Sequence, residues 1–104
     1  MLDLKGKTAV ITGGAGGLGA ATALALGREG MKVALWDRNG ERIENTIKRL
    51  RDEGITAKGW ALDVTDPAAV RAGALQVEAE FGPVFLLDNN AGVHAPGDFL
   101  QSTD

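Results

Sequence analysis

The chain has 104 residues, of which 44% are hydrophobic and 24% charged, and its formal net charge is -3. This size and composition allow one globular domain, and the weakly acidic balance argues against binding to nucleic acid or a membrane surface. No run is long enough for a membrane span, and no signal-peptide pattern is present. With no cysteine and a single histidine, we expect a cytoplasmic protein without disulfides or a metal site.

The first half of the chain alternates short apolar runs with helix-forming segments. Residues 7–12 stop at two glycines, which is typical of a buried strand entering a tight turn. Residues 18–28 are rich in alanine and leucine and predict a helix that ends near Gly30. Residues 31–36 repeat the strand pattern, and residues 40–53 carry apolar side chains every three or four positions, which predicts a one-sided helix.

The second half repeats this alternation. Residues 56–62 can form a third strand, and residues 84–87 are a fourth apolar run. Between them, Asp66 and Pro67 are typical of a helix start, and we expect this helix to reach Phe81. Strands that alternate with helices predict right-handed crossovers and a parallel sheet covered on both faces. The predicted fold class is therefore doubly wound α/β.

A glycine-rich turn lies between the first strand and the first helix. Residues 12–19 read Thr-Gly-Gly-Ala-Gly-Gly-Leu-Gly, and glycine lets a backbone approach a pyrophosphate while the helix N-terminus attracts its charge. A P-loop is excluded because no Gly-Lys-Ser or Gly-Lys-Thr follows. A structural turn without a ligand is the alternative to a dinucleotide site.

Asp37 follows the second predicted strand, 18 residues after Gly19. This is close to the roughly 20-residue spacing at which a carboxylate bonds the hydroxyls of an adenosine ribose. NADP carries a phosphate there, and two like charges about 4 Å apart repel by roughly 4 kcal/mol at an effective dielectric constant of about 20. Asp37 therefore favours NAD, although Arg38 could neutralise that phosphate; an ordinary turn carboxylate is the alternative.

In this order, the motifs resemble the N-terminal part of the short-chain dehydrogenase/reductase family. Residues 12–19 match the family's Thr-Gly-x-x-x-Gly-x-Gly motif, and Asp37 is similar to its NAD-selecting acidic residue. Residues 63–64, Asp-Val, look like the pair that contacts adenine, and residues 89–92, Asn-Asn-Ala-Gly, look like a segment that supports the central sheet and borders the cofactor. The resemblance covers nearly the whole chain and implies a Rossmann-like parallel sheet with strand order 3-2-1-4.

The resemblance also implies which residues contact the cofactor. They are Gly13, Ala15, Gly16, Gly17, Leu18, Gly19, Asp37, Arg38, Asp63, Val64, Asn90, Ala91 and Gly92. The Asp63 carboxylate can accept a hydrogen bond from the adenine amine, and Val64 offers a backbone N–H to a ring nitrogen. Helix capping is the alternative for Asp63, and a purely structural contact is the alternative for Asn89.

Two positions before the Asn-Asn-Ala-Gly segment depart from the family pattern. The family usually has an apolar residue directly before the segment and an aspartate three residues earlier, where this chain has Asp88 and Phe85. A carboxylate at the end of a central strand needs donors or a cavity, and we assign Asp88 no role. His94 follows in a predicted loop, where a single exposed histidine is usually incidental.

The family's reaction relies on a Tyr-x-x-x-Lys pair, helped by a serine and an asparagine, beyond the matched segment. This chain has no tyrosine, so the acid/base that would accompany hydride transfer is absent. We therefore expect a truncated, inactive chain with no catalytic residue of its own. Residues 1–92 would form an NAD(P)-binding half-domain and residues 93–104 a loop or incomplete element, while an intact relative would interconvert an alcohol and a ketone.

Two other interpretations remain open. One is a non-catalytic nucleotide-binding or assembly module, and the other is an unrelated doubly wound fold that binds FMN or a phosphorylated ligand. Strand order 3-2-1-4 would leave residues 84–87 as an exposed apolar edge, which invites pairing with another strand. We therefore expect a homo-oligomer, such as a dimer joined through the fourth strand.

Overall fold

The computed structural model describes residues 3–89. Its elements, in chain order, are β1 Thr8–Thr12, α1 Gly17–Arg28, β2 Lys32–Asp37, α2 Gly40–Asp52, β3 Ala57–Ala61, α3 Pro67–Phe81 and β4 Val84–Asn89. Each predicted element is present with boundaries within one residue of the prediction, except that β4 runs two residues further. Asp88 and Asn89 therefore belong to the strand and do not follow it.

The four strands form one parallel sheet in the order β3-β2-β1-β4. This confirms the predicted doubly wound α/β class and the strand order. Because all four strands run the same way, the turns that follow β1, β2 and β3 meet at one end of the sheet. In doubly wound folds, this carboxyl end is where ligands bind.

The sheet is covered by helices on both faces, because successive residues of a strand point to opposite sides. Ile11, Val33 and Leu35 face α1 and α2, and Val10, Ala34 and Trp36 face α3. The buried cluster on the first face is completed by Ala23, Ile43, Ile47, Leu50, Ile55 and Ala57, and that on the second face by Val70 and Val77. The near-continuous burial of β1 and β2 is typical of a central parallel strand.

Glycines allow two helices to approach their neighbours closely. A Cβ at Gly73 on α3 would lie 2.7 Å from Leu62 Cδ2 and 3.1 Å from Trp36 Cζ2. A Cβ at Gly27 on α1 would lie 2.6 Å from two carbons of Ile55. Carbon atoms pack at about 3.5–4.0 Å, so a side chain at either position would push these neighbours away, and glycine lets both helices pack closely.

The two outer strands differ in how their edges are protected. The guanidinium of Arg51 on α2 donates two hydrogen bonds, of 3.0 and 2.8 Å, to the carbonyl oxygen of Ala57 on β3. On β4, Phe85 is 42% exposed, and the Lys7 ammonium lies 4.9 Å from the centre of its ring. A satisfied carbonyl reduces the tendency of an edge to pair with another strand, so β3 is the better protected edge.

Candidate functional site

The glycine-rich turn is tied to the end of β2 by backbone hydrogen bonds. Gly13 adopts a φ of 63°, and the N–H of Gly14 donates to the carbonyl oxygen of Trp36 over 3.2 Å. The N–H of Gly16 donates back to Gly13 over 3.0 Å and closes the turn. A Cβ at Gly19 would overlap the Gly13 carbonyl oxygen, so the first turn of α1 needs glycine to fit against this backbone.

Gly17 is the first residue of α1, and its surroundings are different. Outside its chain neighbours and its own helix backbone, a Cβ there would meet no atom of residues 3–89 within 4 Å, and the residue does not have a positive φ. Neither the backbone conformation nor internal packing therefore requires glycine at this position. The open space above it is where a ligand could approach the backbone closely.

The N-terminus of α1 also lacks a side-chain cap. The Asn39 side chain accepts a hydrogen bond from Arg42 at the start of α2, and the Asp66 side chain accepts from Ala68 and Ala69 at the start of α3. Gly16 occupies the same position on α1 and makes no side-chain hydrogen bond, and the first turn of α1 carries no acidic residue. Its N–H groups and positive dipole end can therefore serve an external anion.

Asp37 ends β2 and contacts the glycine-rich turn. Its Oδ2 accepts a hydrogen bond from the N–H of Ala15 over 3.2 Å, and its Oδ1 accepts from the N–H of Asn39 over 3.0 Å. These two bonds fix the direction of the half-buried carboxylate. Since each carboxylate oxygen can accept more than one hydrogen bond, both oxygens keep capacity for ligand hydroxyls.

A cavity of about 180 Å³ lies beside Asp37, at the carboxyl ends of β1, β2 and β3. It is lined by Gly13, Trp36, Asp37, Arg38, Leu62, Asp63, Val64 and Thr65. Five of these eight residues were predicted to contact a cofactor, although they come from three separate parts of the sequence. The fold therefore brings the acidic residue after β2 and the Asp-Val pair after β3 to one concave surface.

Asp63 stabilises the loop after β3 and does not cap a helix. Its Oδ1 accepts hydrogen bonds from the Thr65 hydroxyl over 2.6 Å and from the Thr65 N–H over 2.9 Å. These two bonds have the largest effect on the pKa of Asp63 and lower it below its ordinary value of 3.8. Partial burial opposes them, and the positive charge of Arg38 adds the smallest lowering. Asp63 is therefore a carboxylate at neutral pH and remains a hydrogen-bond acceptor. The helix cap, which was the alternative role for Asp63, is supplied by Asp66.

The remaining predicted contact residues divide into two groups. Ala15, Gly16, Gly17 and Gly19 lie on the turn or at the start of α1, beside Leu18, whose side chain is 72% exposed. Asn90, Ala91, Gly92 and also His94 lie outside the described residues.

Residues at the end of β4 connect it to β1. Asn89 accepts a hydrogen bond on Oδ1 from the Thr12 hydroxyl over 2.7 Å, which supports the structural alternative for Asn89. Asp88 is aligned with Ile11. The pairing of β1 with β4 shifts by one residue at Phe85, because Thr8 is aligned with Val84 and Ala9 with Leu86.

Sequence reasoning missed four residues at or near the cavity, among them Trp36, which lines it from β2 directly before Asp37. Leu62 and Thr65 line it, and both flank the Asp-Val pair in the sequence, so adjacency was the available signal. Arg42 was missed because it lies on α2, yet its guanidinium reaches the turn: a Cβ at Gly16 would be 3.7 Å from Arg42 Nη2. No local pattern in the sequence relates it to the turn, because an arginine on an exposed helix face is ordinary.

Among residues 3–89, no group of three or more His, Asp or Glu side chains is arranged to hold a metal ion. No helix in that range is both long and apolar enough to cross a membrane.

Comparison with known proteins decides which family this arrangement represents. A family model described as short chain dehydrogenase matches residues 7–104. The chain belongs to the short-chain dehydrogenase family.

Three known members show the extent of the similarity. The chain is 46% identical over 101 residues to 2,5-dichloro-2,5-cyclohexadiene-1,4-diol dehydrogenase LinX of Sphingobium indicum, covering 96% of the chain and 40% of that protein. It is 42% identical over 103 residues to D-threitol dehydrogenase of Mycolicibacterium smegmatis, covering 97% and 40%. The crystal structure of NAD+-bound xylitol dehydrogenase superposes with a TM-score of 0.84 at 34% identity, covering 97% of this chain and 42% of the other. The chain thus spans about two-fifths of the length of these relatives.

Proposed function

We propose that the chain forms the NAD(H)-binding part of an oxidoreductase that interconverts an alcohol and a ketone. The family uses nicotinamide dinucleotides, and two of the relatives are named as dehydrogenases of a diol and of a polyol. The solved xylitol dehydrogenase was bound to NAD+. A diol or polyol is therefore the substrate class that we favour for the whole enzyme.

The observation that carries the proposal is the position of Asp37 between the turn and the cavity. The hydrogen bond from Ala15 holds its carboxylate beside the backbone that would approach the pyrophosphate. The cavity on its other side has Asp63 and Val64 at its rim. An adenosine in that cavity would place its ribose hydroxyls at Asp37 and its phosphates at the uncapped end of α1.

In this proposal, the cofactor supplies hydride transfer and the described residues bind and orient it. The turn would hold the pyrophosphate through backbone N–H groups, and Asp37 would accept hydrogen bonds from the ribose. The 104 residues include no tyrosine, so we propose that this chain by itself binds the cofactor without completing the reaction. Mixing the chain with NADH and a panel of ketones should give no oxidation of NADH.

Calorimetric titration with NADH and NADPH tests cofactor binding. We expect saturable binding of NADH and weaker binding of NADPH. Asp37→Ala removes hydrogen bonds to a charged group, each contributing about 1.5–3 kcal/mol, and should weaken NADH binding by at least about tenfold. The preference for NADH should disappear in the same variant, because the repulsion of a 2′-phosphate disappears with the carboxylate.

Asp52→Ala is the matched control, since Asp52 ends α2 and is exposed away from the cavity. It should bind both nucleotides as the unmodified chain does. No binding of either nucleotide at millimolar concentration would contradict the proposal, as would an Asp37→Ala variant that keeps the preference.

A second candidate function, an assembly module, is favoured by the outer strand β4. Within residues 3–89 no strand pairs with its outer edge, and its partly exposed apolar residues, with Phe85 at 42%, offer that edge to a second copy of the chain. We propose a homo-oligomer joined through β4, which could accompany cofactor binding or replace it. Light scattering coupled to size-exclusion chromatography should show a dimer that Phe85→Lys dissociates, and a monomer at every concentration would contradict this candidate.

The domain boundary at residue 92 and the cytoplasmic location stay predictions. The boundary lies outside the described residues, and limited proteolysis of the intact chain would test it. Fractionation of the cells that express the chain would test its location.

A further inference from the structure

The side of α3 that points away from the sheet is apolar. Four exposed apolar residues recur there at spacings of four, three and four positions, which keeps their side chains on one face of a helix. The largest of them is Leu75, whose side chain is 67% exposed. We call these residues the α3 outer face. They are Ala68, Ala72, Leu75 and Ala79.

No element within residues 3–89 covers the α3 outer face. Helices α1 and α2 pack on the other side of the sheet, so in that range α3 is the one helix on its side. Its Val70 and Val77 are buried against the sheet, while Leu75 is exposed. A helix that is apolar on two opposite faces is typical of one that packs between two partners. The sheet is one partner, and the outer face is open to another.

Two opposite charges lie along one edge of the α3 outer face. Arg71 and Glu78 are both exposed, and they are seven residues apart, which places them on the same edge two turns from each other. Their backbones are then about 10.5 Å apart along the helix axis. Neither side chain takes part in an ion pair within residues 3–89. Both charges are therefore available to a partner.

The apolar residues of the outer face match a second, antiparallel copy of the same helix. A twofold axis that places Leu75 of one copy against Ala72 of the other also places Ala68 against Ala79. The large side chain of each copy then meets a small one, and the alanines allow the two helix axes to approach closely.

The charges match in the same orientation. Equivalent edges of two antiparallel helices face each other, so Arg71 of each copy would lie beside Glu78 of the other. A parallel pair would instead place this edge against the opposite one, which carries Gln76, and would form no such ion pair. Because charged residues beside an apolar helix contact determine partner and orientation, the pattern favours the antiparallel pair.

We propose that the α3 outer face is an interface at which a second copy of the chain binds in antiparallel orientation. The occupant is a second copy because one edge of a single helix supplies both charges of the pair. The interface is separate from the β4 edge and does not depend on cofactor binding. Since each copy contributes few side chains, the contact is small and forms at millimolar concentration. It joins dimers that form through β4, or monomers where β4 does not pair.

Sedimentation velocity of the full chain over a range of concentrations tests the interface. The variant Phe85→Lys separates it from the β4 edge, because any remaining association cannot use that strand. This variant should be monomeric when dilute and dimeric at millimolar concentration. Leu75→Gln in the unmodified chain is the second test: species larger than a dimer should disappear, and a dimer formed through β4 should remain. Circular dichroism would verify that the variants are folded.

Charge reversal in the Phe85→Lys chain tests the orientation. Arg71→Glu alone and Glu78→Arg alone bring like charges together, and each should weaken association at least about tenfold. An equimolar mixture of these two variants should associate about as strongly as the parent chain, because every contact then joins opposite charges. Arg49→Glu is the matched control, since Arg49 is exposed on α2 and the net charge changes equally. It should not alter association.

The other outcomes overturn the inference. A Phe85→Lys chain that stays monomeric at millimolar concentration would mean that this face binds no second copy, as expected if it binds a different protein, and would leave the β4 proposal standing. Association that Arg71→Glu does not weaken, or that the mixture does not restore, would exclude the antiparallel pair. Equal weakening by Arg49→Glu would show that net charge controls association. If Phe85→Lys does not fold, unchanged large species in Leu75→Gln would overturn the inference.

Discussion

The glycines of the β1–α1 turn serve two different purposes. At Gly14 and Gly19 the missing side chain leaves room for the protein itself: a Cβ at Gly14 would lie 2.7 Å from Leu35 Cδ2, and one at Gly19 would overlap Gly13. At Gly17 the missing side chain leaves open space, because a Cβ would meet no other part of residues 3–89 within 4 Å. One part of the motif is therefore required by folding, and the other leaves open the space in which we propose that the pyrophosphate binds.

This difference matters because a glycine pattern alone is weak evidence of a nucleotide site. Glycines that only pack would support a structural turn without a ligand, which was the alternative from the sequence. Gly17 has neither a positive φ nor a close neighbour, and glycine at the start of a helix costs free energy relative to alanine. The folding of residues 3–89 therefore does not require glycine at position 17.

Gly19→Ala should have the largest effect on the fold. The new methyl group would collide with the backbone at Gly13 and Gly14, so the turn has to move and α1 loses its packing on the sheet. Overpacking of this kind costs about 1–3 kcal/mol, and rigid backbone neighbours place this case near the upper value. Thermal unfolding followed by circular dichroism would measure the loss. Gly40→Ala, whose methyl group would make an ordinary 3.7 Å contact with Ala61, should unfold as the unmodified chain does.

Gly17→Ala should separate binding from stability. The free energy of unfolding should stay unchanged or rise by about 0.5 kcal/mol, because alanine is a better helix former and meets no neighbour. NADH binding should weaken at least about tenfold, since the methyl group would occupy the space proposed for the pyrophosphate. Titration and unfolding of the same preparation give both values. Unaltered NADH affinity in this variant would mean that Gly17, too, is only a helix residue.

The loop before α3 contains two aspartates whose roles differ in the same way, because Asp66 caps the helix and Asp63 lines the cavity. Asp66→Ala removes the cap from Ala68 and Ala69 and should lower the free energy of unfolding by about 1 kcal/mol. Because Asp66 does not line the cavity, the affinity for ADP should not change. Asp63→Ala should show the reverse order, with a larger effect on ADP binding than on unfolding. If the two variants weaken ADP binding equally, then Asp63 is not a binding residue of the cavity that differs from the helix cap Asp66.

Much of the fold could be predicted from the sequence, because local patterns and the rules of parallel sheets act together. The apolar runs, the caps and the glycines set the elements, and right-handed crossovers restrict their order. The end of β4 was predicted too early, since Asp88 and Asn89 are poor strand formers by themselves. Their place is determined by pairing with Ile11 and Thr12 across the sheet, which no local pattern encodes.

The candidate site was predicted in part, because some of its residues follow predicted strands and others are brought there only by the fold. Asp37 and Asp63 carried signals through their positions after predicted strands. Asp66 was predicted to start α3, and the structure confirms that its side chain caps this helix. The hydrogen bonds from Thr65 to Asp63 were not predicted, because a helix cap was the alternative interpretation of Asp63. Arg42 carried no signal, since an arginine on an exposed helix face is ordinary. Only the direction of its side chain toward Gly16 relates it to the turn.

The smallest expected effect is the pH dependence of the Asp63 contact. Because the pKa of Asp63 in the folded chain lies below its ordinary value of 3.8, its stabilising effect is complete above that value and is lost as the pH falls through the lowered pKa. Asp63→Asn keeps an acceptor for Thr65 and cannot ionise. The difference in unfolding midpoint between this variant and the unmodified chain should therefore stay constant from about pH 8 to about pH 5 and shrink only in stronger acid. A difference that changes within that neutral range would show that another group titrates with Asp63, and the loop after β3 would then not be held by Thr65 alone.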